Sequence, residues 1–177
     1  RKVLDPIHCA KEAEAELAAQ KKKLASLRVL DAQRYEKLAA RGRGLRTLAA
    51  ANRAFASDLL EDELAKLDTL LESFLELLVS CEGYERYLAT VDAVELDREM
   101  DRAGRELERM HEKDDRRPIL EKNRAVLETR LERLLEIKRH VAKARAQIDL
   151  IENTFDLLGD QIVTMSSPAE LGGQLDD

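Results

Sequence analysis

The side chains best suited to metal or nucleophilic chemistry are His8, His111, His140, Cys9 and Cys81. Glu108 and His111 form a Glu-x-x-His, the spacing that carboxylate-bridged di-iron bundles use on their ligand helices. Such a centre needs a second motif of that kind and two more glutamates on facing helices, and no second Glu-x-x-His occurs. His8 and Cys9 are adjacent, but no further ligand pair at Cys-x-x-Cys or His-x-x-x-His spacing closes a zinc site. No Gly-x-Ser-x-Gly, phosphate loop or His-Glu-x-x-His is present. The many Asp and Glu residues fall at surface positions of helical patterns, with no concave pocket to perturb their titration. The expectation is a protein that is not an enzyme, with no catalytic residue, metal, cofactor or small-molecule substrate.

Binding to an anionic surface is the sharper chemical possibility. Lys21, Lys22, Lys23, Arg28, Arg34, Lys37, Arg41, Arg43 and Arg46 crowd one stretch of helical pattern and are candidate contacts for phosphate. Residues 1–56 hold 13 Lys and Arg against 6 Asp and Glu, a net of +7. Residues 57–113 hold 7 against 17, a net of −10. Matched helix faces, basic on acidic, are the plainer explanation of that split. Nucleic acid is disfavoured, because only Tyr35 is interleaved for stacking and the sequence pI is about 5.3.

Long helices must carry these groups. Of the 177 residues, 37% are charged and 44% hydrophobic, only 3% are aromatic, and there are seven Gly and three Pro. That composition belongs to helical bundles and coiled coils, and it contains enough Leu, Ile, Val and Ala to escape disorder. No run approaches the ~18 to 20 apolar residues of a membrane span. Two cysteines far apart read as reduced thiols, hence a cytoplasmic protein. The chain opens on Arg1 rather than methionine, so a piece of a longer protein is expected, with any membrane tether lying outside it.

Breakers divide the chain. Asp5-Pro6 opens a helix, Arg41-Gly42-Arg43-Gly44 reads as a tight turn, and Asp58/Glu61 and Asp92/Glu95 have capping-box spacing. A break is expected near Thr90 to Asp92, and Pro118 starts a new helix after the charged cluster at 113–117. The expected helical segments are about 6–40, 45–90, 93–113 and 118–165. Residues 166–177 then form a turn and the start of a truncated helix.

Within these segments the apolar residues recur at heptad spacing. Leu134, Ile137, Val141, Ala144, Ile148, Ile151, Phe155, Leu158, Ile162 and Met165 alternate steps of three and four without exception. A second seam, Leu60, Leu64, Leu67, Leu71, Phe74, Leu78 and Cys81, is widened by further leucines into a stripe that serves two neighbours. The first segment is the least regular, with Gln20, Asp31 and Arg34 on its apolar stripe. Glu152, one position off the 134-to-165 seam, is expected in solvent. Short connections make sequence neighbours antiparallel. The fold expected is therefore all-α: one elongated antiparallel helical bundle or coiled coil over 1–165, with three to four long helical segments.

The function that follows is a structural or scaffolding coiled-coil module for protein–protein interaction or self-association, using the 134-to-165 seam. The alternative is a membrane-associated or membrane-tethered module using the basic 21-to-46 surface.

Overall fold

A computed structural model describes the backbone of residues 6–51 and 58–165 and the side chains of 14–50 and 60–164. Among the described residues the protein is all-α, with five helices packed together and no strand. They are α1 (Pro6–Ala25), α2 (Val29–Ala51), α3 (Asp58–Ala89), α4 (Ala93–Arg109) and α5 (Arg117–Met165). Asp5, the side chains of His8, Cys9, Asp58 and Met165, and the expected turn after residue 165 lie outside the described residues.

The first expected segment, 6–40, is two helices. Ser26 ends α1: its hydroxyl donates to the Lys23 carbonyl at 2.6 Å, and Ser26 N and Leu27 N bond back to Lys23 and Leu24. These three-residue bonds wind up the last turn, and the serine competes for a carbonyl that the helix would otherwise use. No Gly or Pro announces the break.

The turn expected at Arg41 to Gly44 is instead the middle of α2. No glycine among the described residues has positive φ. Gly42 is there for clearance: a Cβ on it would stand 3.2 Å from Phe155 Cζ, and one on Gly159 would stand 3.3 Å from Leu45. Helices α2 and α5 thus approach through two missing side chains, at a cost in helix propensity of about 1 kcal/mol each.

The later boundaries have visible caps. Helix α3 ends in short-range bonds at Thr90 and Val91, and Asp92 accepts from Val94 N and Glu95 N, both at 3.0 Å, to open α4. Helix α4 stops at Arg109 rather than 113. His111 Nδ1 accepts from Lys113 N, Asp114 accepts from Arg116 N, and Arg117 donates to the Leu107 and Met110 carbonyls. One arginine at the start of α5 therefore satisfies the last carbonyls of α4.

Where a single bundle over 1–165 is expected, the chain packs as two compact units. The smaller, residues 83–144, has a thin core of Leu96, Leu127 and Leu134, flanked by Leu88, Val91, Met100 and Leu131. The larger takes residues 1–82 and 145–177, and its centre is Leu67, Phe74, Leu78, Cys81, Ile148, Phe155 and Ile162, all at 2% exposure or less.

In the larger unit the pairing is mixed. Arg28 to Glu82 and Arg46 to Asp68 make α2 antiparallel to α3. Asp31 to Arg145, Arg34 to Glu152 and Arg41 to Asp156 climb both helices together, so α2 runs parallel to α5. The antiparallel expectation applies to sequence neighbours, and two helices separate this pair.

The glycines give the sharpest test of α2. Gly44 is exposed and a Cβ there meets nothing within 4 Å. Gly44→Ala should stabilise the protein by about 0.5 to 1 kcal/mol through helix propensity. Gly42→Leu should destabilise it by about 1 to 3 kcal/mol through overpacking against Phe155. Urea melts measure both. A turn at this position would reverse the first result.

Candidate interaction surface

The basic stretch is mostly occupied within the fold. Lys23 meets Glu76, Arg28 meets Glu82 and Asp31, Arg34 meets Asp149 and Glu152, Arg41 meets Asp156, and Arg46 meets Asp68. Lys21, Lys22, Lys37 and Arg43 are exposed, with no ion pair seen among the described residues. Complementary charge does join the basic segment to acidic α3, and α5 takes an equal share that segment totals do not reveal.

Two contacts of α2 with α5 are partly withdrawn from water. Arg145 grips Asp31 with both terminal nitrogens, at 2.8 and 2.9 Å, and Asp31 is only 5% exposed. The hydrogen bonds from Arg145 hold the Asp31 carboxyl below its usual range, against the opposing effect of burial. Arg34 forks onto Glu152 at 2.9 and 2.8 Å, reaches Asp149 at 2.7 Å, and lies 5.9 Å from the Phe74 ring centroid. One guanidinium on α2 thus touches both α3 and α5. Glu152 is therefore half-buried and paired, not in solvent.

Burial divides the 134-to-165 seam. Leu134, Ile148, Phe155, Leu158 and Ile162 are buried, and Ile137, Val141, Ala144 and Ile151 are partly buried. These are core positions, facing inward. Glu108 is exposed, and His111 serves the turn after α4. Cys81 is fully buried and in no disulfide.

Helix α1 leaves two open grooves beside it. One, of about 660 Å³, runs between α1 and α3 with Tyr35 as its floor; the other, of about 380 Å³, has Lys21 and Arg43 at its edge and Phe155 among its walls. Gln20 hydrogen-bonds Tyr35 between them.

The most unusual surface lies on the outward face of α5. Ala146, Leu150, Asn153, Leu157, Gln161 and Thr164 recur at steps of four and three, so they share one face. All six are exposed, Leu150 by 62% and Leu157 by 58%. None is charged, in a chain that is 37% charged. Thr154 and Thr164 donate their hydroxyls back to the Leu150 and Asp160 carbonyls at 2.8 Å, so these donors are satisfied within the helix. Asp149, Glu152 and Asp156 occupy the flank toward α2. The apolar seam drew attention to the inner face; the outer one is marked by absent charge, a signal that hydropathy periodicity does not weigh.

Asp31→Asn should cost about 2 to 3 kcal/mol at pH 7, because Arg145 is left largely buried without its counter-charge. A carboxyl lowered on folding lends stability above its unfolded pKa of about 3.9, and that stability vanishes as pH falls through the folded value. Urea midpoints of parent and variant should therefore differ at pH 7, and the gap should narrow as pH falls below about 3.9. A gap that stays the same size as the solution is acidified rules the pair out as a stabilising element.

No protein-family model matches the chain, and no curated protein or solved structure matches it either.

Proposed function

We propose that the protein is a non-catalytic helical scaffolding module that docks another protein through the outer face of α5. The observation that carries this reading is the uncharged, exposed stripe from Ala146 to Thr164. The exposed positions of α5 before residue 140 carry mostly Lys, Arg and Glu, whereas this stripe carries none. Contiguous apolar surface rimmed by polar groups is the usual mark of an interface with another macromolecule. Leu150 and Leu157, seven residues apart, have the spacing with which one helix anchors against another.

The competing reading is attachment to an anionic membrane surface through the basic 21-to-46 stretch. Lys21 and Arg43 at the edge of one groove favour it. Five of the nine cations are engaged by carboxylates, which weakens it. No described helix is long and apolar enough to cross a membrane.

A benzophenone side chain placed at Leu150, and in a separate variant at Lys37, tests the two readings in cells. Protein adducts from Leu150 with none from Lys37 are expected. Adducts at Lys37 alone, or none at Leu150, discard the docking face. Sedimentation with phosphatidylserine vesicles supplies the other arm: salt-sensitive pelleting that Lys21→Glu with Arg43→Glu abolishes is the signature of the membrane reading.

A further inference from the structure

We infer that the partner of this face is a second copy of the same chain, joined through α5 and the adjoining edge of α3. The inference rests on the docking reading above and gives it an occupant.

The surface is wider than α5. On α3, Leu70, Ser73, Leu77 and Ser80 recur at steps of three and four, and none is charged. Leu70 and Leu77 are half-buried, and the two serines are exposed. Asp68, Glu76 and Glu82 tie α3 to α1 and α2 from its other flank. Likewise α5 is tied to α2 through Asp149, Glu152 and Asp156, on the flank away from the stripe. Both uncharged edges therefore lie on the side of the α3–α5 seam that faces away from α2. Helix α1 packs against α2 and α3 through Gln20 and Lys23, whereas Ser73, Ser80, Leu150 and Leu157 on the other side are exposed.

Its chemistry is compatible with itself. In a two-fold interface each surface meets its own copy, so any carboxylate or ammonium near the axis faces a like charge. Here the polar groups are amides and hydroxyls, which both donate and accept and so can pair with identical groups. Asn153 and Gln161 stand among the leucines as a buried asparagine does in a dimeric coiled coil, where it sets register and copy number. At the rim, Asp149 and Asp156 are paired with Arg34 and Arg41 of their own copy, while Asp160 is exposed at the edge of the stripe.

The size is modest. A stripe about 27 Å long on α5 and an edge about 15 Å long on α3, each about 10 Å wide, cover roughly 420 Å² per copy, or about 840 Å² in all. Areas of that order belong to weak, transient contacts, so a dissociation constant no tighter than the micromolar range is expected.

Sedimentation equilibrium of the 177-residue chain from about 5 to 200 µM decides the matter. The mass should rise from 20.1 kDa toward twice that value with concentration. Leu150→Lys with Leu157→Lys should hold it at the monomer mass throughout, with unchanged helical circular dichroism and melting midpoint, because both side chains are exposed. Ile119→Lys with Val126→Lys, exposed residues of the smaller unit, should dimerise like the parent. A parent that stays monomeric at 200 µM, or a Leu150/Leu157 variant that dimerises normally, overturns the inference. The docking reading fails separately: a monomeric parent whose benzophenone at Leu150 still captures a protein of another mass refutes the second copy alone, whereas absence of any adduct refutes both.

Discussion

The grip of Arg145 on Asp31 fixes how the larger unit is assembled. Two helices with heptad seams can pack in either direction and slide by whole heptads with small apolar cost. A withdrawn carboxylate removes that freedom, since any other register leaves it facing apolar side chains without a counter-charge. Against a well-packed hydrophobic pair such an ion pair adds little stability, and its larger effect falls on the alternatives. Arg34 repeats the constraint one turn along by reaching Glu152 and Asp149 from the same helix. Together they impose a parallel α2–α5 pair, which connection length does not require.

The steric lock agrees with the electrostatic one. Tyr35, Leu38, Gly42, Leu45 and Ala49 line the buried side of α2, large residues alternating with small. Gly42 receives the Phe155 ring, and Gly159 receives Leu45 and Arg41. A slide of one heptad would move Gly42 off Phe155 and Asp31 off Arg145 at the same time. Independent local choices that select one register are what distinguish a specified bundle from interchangeable amphipathic helices.

This explains which parts of the structure were legible in the sequence. Helix content, the breaks near Thr90 and Pro118, and the inward face of α5 follow from periodicity and capping, which are local. The pairs at Asp31 and Arg34 join residues more than a hundred positions apart, and no local pattern encodes them. Their trace was nevertheless present: Gln20, Asp31 and Arg34 are the residues that spoil the stripe of the first segment, and each makes a specific polar contact. Gly42 misled for a related reason, since glycine as clearance and glycine as turn are identical without the neighbouring helix. The end of α1 was hidden because a serine hydroxyl turned back on its own helix is common inside helices as well as at their ends.

The docking face follows from the same distribution of charge. Once the cations of α2 are committed to α3 and α5, the acidic residues of α5 are drawn to the flank that meets them. Its inner face is apolar by necessity, so solubility would favour Lys and Glu on the remaining outer face, as on the exposed positions of residues 118–140. Leucine at Leu150 and Leu157 forgoes that hydration, and each leaves a large side chain about 60% exposed. Single exposed leucines need no explanation, because folded surfaces carry many apolar atoms. Six uncharged positions in register, with threonine hydroxyls folded inward, form a continuous surface. Burying what remains exposed of two leucines contributes about 2 to 4 kcal/mol before the cost of association, enough for a weak complex and too little for an obligate one. A contact of that strength can form and dissolve with concentration, while the core beneath it stays pinned by Asp31 and Arg145.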